Sequence, residues 1–341
     1  MIASVFQKQD VMRRVVYSLI PILLFSVLLY GWRVLAQMVV VFSAAILTEY
    51  IFTRRRGKKV SEAVLVTSMI YLLALPPALP LWISAVGIIF AVALAKEAYG
   101  GFGRNVFNVA IAGRLFVYLS FPVPYNRGWM QSASLGPNGI TGLFGTAGGP
   151  VDAASSATPL RVLYAGDMPN MLHQFLGFRS GSMGESSVLL ILLAAIYLVA
   201  TKTANWRPMV FTFLGALISA SAFFFAGLIP GMDPTTAAGG AAFLPVIAFM
   251  MSGSILYVAV FMATDPITAP NKPAAQVVYG LIIGLVTMLV RVFAGFPEGT
   301  SFGIMVANTF ALLLDEIFPK PKKKQKVSPG TQKKTSEEVP A

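Results

Sequence analysis

The stretch Val34–Phe52, VLAQMVVVFSAAILTEYIF, runs nineteen residues with a single charge, Glu49. Nineteen helical residues rise about 28 Å, close to the ~30 Å thickness of a bilayer's hydrocarbon core. A run of that length and polarity predicts a membrane-spanning helix. Reading outward from it finds more of the same. Upstream lies Val15–Tyr30; downstream lie Val60–Leu75, Leu81–Ala95 and Val106–Phe121. A polar stretch from Pro122 to about Glu185 interrupts the series. It resumes with Ser187–Thr201, Pro208–Ala226, Ala241–Met262, Ala275–Val292 and Phe302–Phe318. The pattern predicts an all-α integral membrane protein of about ten transmembrane helices.

Composition agrees. Of 341 residues, 56% are hydrophobic and 12% charged, about half the charge of an ordinary soluble domain. A water-soluble globule is excluded. There is no cysteine, so a cluster or structural zinc held on thiolates, and any disulfide, are excluded too. A redox centre would have to be organic or belong to a partner. The lone histidine, His173, argues against a His-rich metal or haem site. The net charge of +12 does not point to nucleic acid, because the Lys and Arg residues sit between apolar runs and in a Lys-rich tail.

Counting those cations by side gives an orientation. Twenty, from Lys8 through Arg54–Arg56 to the seven lysines of the tail, fall on one side. Five fall on the other: Arg33, Arg127, Arg161, Arg179 and Arg291. The positive-inside rule then places both termini in the cytoplasm and the Pro122–Glu185 loop on the exterior face of the cell's inner membrane. No cleavable signal peptide is expected, since the first apolar run is followed by further spans.

The two halves echo each other. Phe102-Gly103 precedes Asn108, and Phe302-Gly303 precedes Asn308; both read F-G-x-x-x-x-N. The third and eighth spans both run into P-x-x-x-P, at Pro76/Pro80 and Pro266/Pro270, and such prolines end helices. Five spans per half would make the halves point in opposite directions, as inverted five-helix repeats with broken helices. The expected organisation is residues 1–121 as the first repeat, 122–186 as the exterior loop and 187–318 as the second repeat. Residues 319–341 form a basic tail whose composition predicts disorder.

The exterior loop carries Asp152-Ala153-Ala154-Ser155-Ser156-Ala157-Thr158-Pro159-Leu160. Small neighbours leave the Thr158 hydroxyl accessible, and Pro159 biases Thr158 toward extended backbone. On residues alone, a Ser/Ala/Thr-rich loop needs no function. The segment is similar, however, to the D-x-x-[ST]-[GS]-A-T motif on which a flavin transferase places FMN. Asp152, Ser155, Ser156, Ala157 and Thr158 fill its fixed positions, with Ser156 where glycine is commoner. Gly100–Asn108 followed by Gly113-Arg114, Phe261-Met-Ala-Thr-Asp-Pro266 and Phe296-Pro-Glu-Gly299 resemble signatures of the RnfD/NqrB family, in order over roughly residues 1–319.

That resemblance implies a membrane subunit of an Rnf-type complex, which moves electrons between ferredoxin and NAD and couples them to Na⁺ or H⁺ transport. It implies a covalent FMN on Thr158 and leaves room for a second, non-covalent flavin (riboflavin). It also implies partner subunits of the A, B, C, E and G types and a flavin transferase during maturation. The paralogous NqrB-type subunit of the Na⁺-translocating NADH:quinone oxidoreductase is usually longer before its first span, so the RnfD type is the better match. The competing reading is a secondary transporter or channel of ammonium- or urea-channel architecture. A passive membrane anchor is a third. Neither has a use for the Asp152–Thr158 motif.

Charges in apolar surroundings complete the candidates. Arg114 lies mid-span, where a charge costs at least ~2.5–3.5 kcal/mol; it is read either as a partner for a flavin, lipid or counter-ion, or as one half of a structural pair. Asp265 is read as a cation contact or a turn residue. Glu49 and Glu97 are expected to form interfacial ion pairs with Arg54–Arg56 or Lys96. The Gly100–Asn105 run lacks a preceding strand and a P-loop lysine, so it predicts close helix packing rather than nucleotide binding.

Overall fold

The computed structural model describes residues 6–129, 158–232, 234, 243–294 and 299–318. The motif residues Asp152, Ser155, Ser156 and Ala157 and the tail lie outside them.

Each apolar run predicted above contains helix. Helices α1 (Asp10–Tyr30) and α2 (Trp32–Arg55) are joined by Gly31, whose φ of 74° makes the one-residue turn that glycine adopts without strain. Then come α3 (Ala63–Leu73), α4 (Leu81–Phe90) running on as π-helix through Ala91–Glu97, and α5 (Val109–Ser120). Short helices α6 (Pro122–Arg127), α7 (Pro159–Tyr164) and α8 (Met171–Leu176) precede α9 (Val188–Ala200) and α10 (Trp206–Phe225). The chain closes with α11 (Leu244–Met251), α12 (Ile255–Phe261), α13 (Pro273–Phe293) and α14 (Gly299–Ile317). Two dipeptide strands, β1 (Phe6–Gln7) and β2 (Val60–Ser61), pair in parallel.

Five helices, α1, α2, α10, α13 and α14, are long and apolar enough to cross a membrane; α11 and α12 would make a sixth as one span bent by 55°. The expected ten spans are not all met at crossing length: the helices of the third, fifth and sixth runs have 11, 12 and 13 residues, and α4 has 10 before its π-helical continuation. The third run is the shortest of the three, its helix about 16 Å long, half a hydrocarbon core. Leu24, Ile218 and Leu312 are 60%, 63% and 74% exposed, so the long helices turn apolar side chains outward, as a lipid-facing or subunit-facing surface requires.

Small residues set the packing of the second half. A Cβ on Gly284 of α13 would stand 2.3 Å from the Ala216 backbone nitrogen of α10, and one on Gly280 2.8 Å from that of Thr212. Gly280-x-x-x-Gly284 is thus a small-residue seam that lets two backbones touch.

Three expectations change. The break in the eighth run falls at Ser252-Gly253-Ser254, with Gly253 at φ 72°, ahead of Pro266 and Pro270. The glycines before Asn105 do not pack helices: Gly100, Gly101 and Gly103 all adopt positive φ and shape a turn. The two F-G-x-x-x-x-N stretches also differ. Asn108 caps α5, its side chain accepting from the Ile111 amide at 3.2 Å, whereas Phe302–Asn308 lies inside α14.

Candidate functional site

Thr158 stands at the head of α7 with φ −57° and ψ 151°, the extended backbone that the following proline favours. Pro159 takes the first helical position, where its missing N–H does no harm. The Thr158 carbonyl accepts from the Arg161 and Val162 amides at 2.8 and 3.1 Å. Its side chain makes no capping bond, and the residue is half-buried. Two apolar anchors fix the helix below it: Leu160 and Leu163 are buried against residues of α10, α11 and α13. The Tyr164 hydroxyl donates to the Arg291 carbonyl at 3.0 Å, and burial pushes that hydroxyl's pKa up. Its ring lies 6.2 Å from that of Phe249.

Beneath α7 the α11–α12 break exposes backbone carbonyls, which cannot remain unpaired in an apolar interior. Arginines supply the donors. Arg179 donates to the carbonyls of Met251, Glu185 and Ser186. Arg291 donates to that of Ser252 at 3.2 Å, its guanidinium 5.7 Å from the Phe249 ring. The proline-rich end of α3 is held likewise: Arg33 donates to Pro77 and Ala78 at 3.2 and 3.0 Å. Arg179 and Arg291, counted above as exterior loop charges, are therefore buried structural cations. The signal for Arg291 was in its position, one residue inside the ninth apolar run.

Arg114 is 1% exposed. Its Nη2 lies 3.3 Å from Glu185 Oε1, and its Nε donates to the Tyr125 hydroxyl at 3.2 Å. The pair ties α5 to the Met183–Glu185 turn, which begins where Met183 N–H meets the Leu75 carbonyl and Ser26 Oγ donates to the Met183 carbonyl. The pairing reading of Arg114 fits this geometry.

Asp265 sits between α12 and α13. Its carboxylate accepts from the Ile267 amide at 3.1 Å, Thr268 Oγ1 at 3.1 Å and Asn108 Nδ2 at 3.4 Å. Burial raises its pKa, and the Ile267 and Thr268 bonds oppose that rise. These bonds fit a turn residue, and Asp265 also joins the two halves of the chain beside a mostly apolar-lined cavity of about 80 Å³ that Asn105, Asn108 and Thr264 border too. Tyr279 donates to Asn308 at 2.6 Å.

At the Lys- and Arg-rich end, the expected ion pairs form with crossed partners. Lys96 binds Glu49 at 2.6 Å and Arg56 binds Glu97 at 2.9 Å. Both carboxylates and Lys96 are buried within the protein. The π-helical run makes this possible by turning the adjacent residues Lys96 and Glu97 toward α2.

Residues 2–324 match the NQR2, RnfD, RnfE family. The chain is 34% identical over 304 residues to the B-type subunit of a Na⁺-translocating NADH-quinone reductase from Chromohalobacter salexigens, covering 87% of this chain and 69% of that protein. Against the same subunit of Pseudomonas aeruginosa it spans 62% of the relative's length. It is 30% identical to the D-type subunit of the Na⁺-translocating ferredoxin:NAD⁺ oxidoreductase complex of Acetobacterium woodii, covering 90% of this chain and 88% of the relative. The proton-translocating counterpart from Clostridium ljungdahlii is also 30% identical, over 90% and 89%. The chain therefore belongs to the NQR2, RnfD, RnfE family, whose relatives named here are subunits of ion-translocating oxidoreductase complexes.

Proposed function

We propose that this chain is the D-type membrane subunit of a ferredoxin:NAD⁺ oxidoreductase complex coupled to Na⁺ or H⁺ transport, carrying FMN esterified to Thr158. Coverage favours the D type over the B type: the match takes in 88–89% of the D-type relatives and 62–69% of the B-type relatives. The observation that carries the flavin is Thr158 itself. The residue is half-buried, its side chain makes no capping bond, its backbone is extended, and an anchored helix holds it in place. Those are the features an external transferase needs to reach the oxygen and form a phosphoester.

When bound, a flavin exchanges one or two electrons and so links one-electron to two-electron carriers. The chain's own part is placement. Pro159, Leu160 and Leu163 fix the direction in which the Thr158 side chain leaves α7, and Tyr164 fastens that helix to α13. Five-helix halves at 1–121 and 187–318, ten spans in inverted repeats, cytoplasmic termini and an exterior 122–186 loop complete the proposal. A second, non-covalent flavin belongs to it as well. Partner subunits of the A, B, C, E and G types would cover part of the apolar surface.

The test is flavin fluorescence of the denatured chain in a gel, with and without a co-produced flavin transferase. A fluorescent band that needs the transferase and is lost in Thr158→Val supports the reading. A dark band under both conditions overturns it.

A further inference from the structure

The Lys- and Arg-rich end contains a cavity of about 340 Å³ bordered by Glu49, Thr53, Ser61, Glu97 and Gly101, with Arg56, Lys58 and Lys59 on its rim. The two carboxylates there are not equivalent. Both oxygens of Glu49 are engaged: Oε1 accepts from the Ser61 amide and hydroxyl at 2.9 and 2.7 Å, and Oε2 binds Lys96 at 2.6 Å. Glu97 is 1% exposed, yet its Oε1 has no hydrogen-bond partner among the described residues. Its ion pair there is with Arg56, at 2.9 Å from Oε2. Arg56 also donates to the Glu97 carbonyl at 2.6 Å, and its side chain is 31% exposed. A buried carboxylate oxygen left without a donor is rare. Here it borders a cavity, beside an arginine that already reaches solvent.

We infer that Glu97 is an exchange site for a small hard monovalent cation, Na⁺ or the proton, with Arg56 as the resident counter-charge that the cation displaces. Hard cations take oxygen ligands; Glu97 and Thr53 both line the cavity, whereas the Ser61 hydroxyl there is already engaged by Glu49 and Lys96. Arg56 can leave without desolvation, because its side chain already meets water. Lys96 cannot leave in the same way, being 3% exposed and bonded to both Glu49 and Ser61. The charged groups facing Glu97 are thus Arg56 and Glu49 from α2 and its end, Lys96 from its own helix, and Lys58 and Lys59 from the segment before β2. The inference deepens the reading of a cation-coupled subunit. It needs neither flavin nor electron flow, so it stands or falls separately from the Thr158 claim.

The experiment is equilibrium ²²Na⁺ binding to the purified complex containing the full chain, together with infrared difference spectra across a pH series for the protonated-carboxyl band. Wild type is compared with Glu97→Gln, Arg56→Gln and Arg56→Lys. If Na⁺ is the ligand, Arg56→Gln lowers the half-saturating concentration about fivefold, the scale of a part-exposed ion pair, and Glu97→Gln removes that binding component. If the proton is the ligand, Na⁺ binding is unchanged, but a carboxyl band absent from Glu97→Gln titrates at higher pH in Arg56→Gln. Arg56→Lys keeps the charge but loses the fork that holds carboxylate and carbonyl together, and should fall between. Neither a Na⁺ component nor a carboxyl band sensitive to Glu97→Gln, or shifts of the same sign for Arg56→Gln and Glu97→Gln, would overturn the assignment.

Discussion

The Arg114–Glu185 pair allows a sharp energetic test. At 3.3 Å and an effective dielectric of ~20, the gross attraction is about 5 kcal/mol. Both side chains are almost fully buried, 1% and 5% exposed, so most of that offsets lost hydration. Removing one partner is different, because the other stays buried without that counter-charge at 3.3 Å. Arg114→Met should therefore destabilise the chain by about 3–5 kcal/mol, and Glu185→Met by a similar amount. The double variant leaves no stranded charge and should lose clearly less than the sum, with a coupling of at least ~2 kcal/mol. Arg114→Lys should be intermediate, since one ammonium cannot serve both Glu185 and Tyr125 in the arginine's planar geometry. The assay is denaturant unfolding of the purified chain in detergent, followed by tryptophan fluorescence. Additive losses, or an Arg114→Met variant within ~0.5 kcal/mol of wild type, would show that the contact does not join α5 to the Met183–Glu185 turn.

Three further outcomes follow from the same geometry. Gly284→Ala should lower stability by about 1–3 kcal/mol despite alanine's better helix propensity, because its Cβ meets backbone at 2.3 Å and backbone cannot rotate away; unchanged unfolding would refute the α10–α13 seam. Reporter fusions after Lys58 and Lys326 should read cytoplasm, and one near Gly148 exterior, as the cation count requires; an exterior signal at Lys326 would break the ten-span proposal. Ser156→Gly should stay flavinylated while Asp152→Ala loses yield, both read by in-gel fluorescence; loss in Ser156→Gly would mean that Ser156 does more than frame the threonine.

Helix existence was legible because apolar runs and their prolines report directly on what a bilayer accepts. Where a helix breaks was not. The α11–α12 bend depends on Arg179 and Arg291 reaching Met251 and Ser252, contacts between residues 72 and 39 positions apart, and no local pattern encodes them. The same limit explains the buried ion pairs. Glu49 and Glu97 each had an obvious cation close by in sequence, yet the π-helical turn crosses the pairing to Lys96 and Arg56. The Gly280-x-x-x-Gly284 seam was present in the sequence as a small-residue motif. Its partner on α10, Gly215 with Thr212 and Ala216, could only be named once the helices were placed. For Thr158 the sequence supplied the motif, and the fold adds the anchored helix behind it.

Whether Thr158 carries the flavin is read most simply by mass spectrometry of the tryptic peptide Gly128–Arg161, from chain produced with a flavin transferase. Cleavage after Arg127 and Arg161 isolates the whole motif, because no Lys or Arg lies between them. A mass increment of one FMN less one water is expected, with fragment ions placing it on Thr158. An unmodified peptide, or a flavin on any other residue, would contradict the assignment.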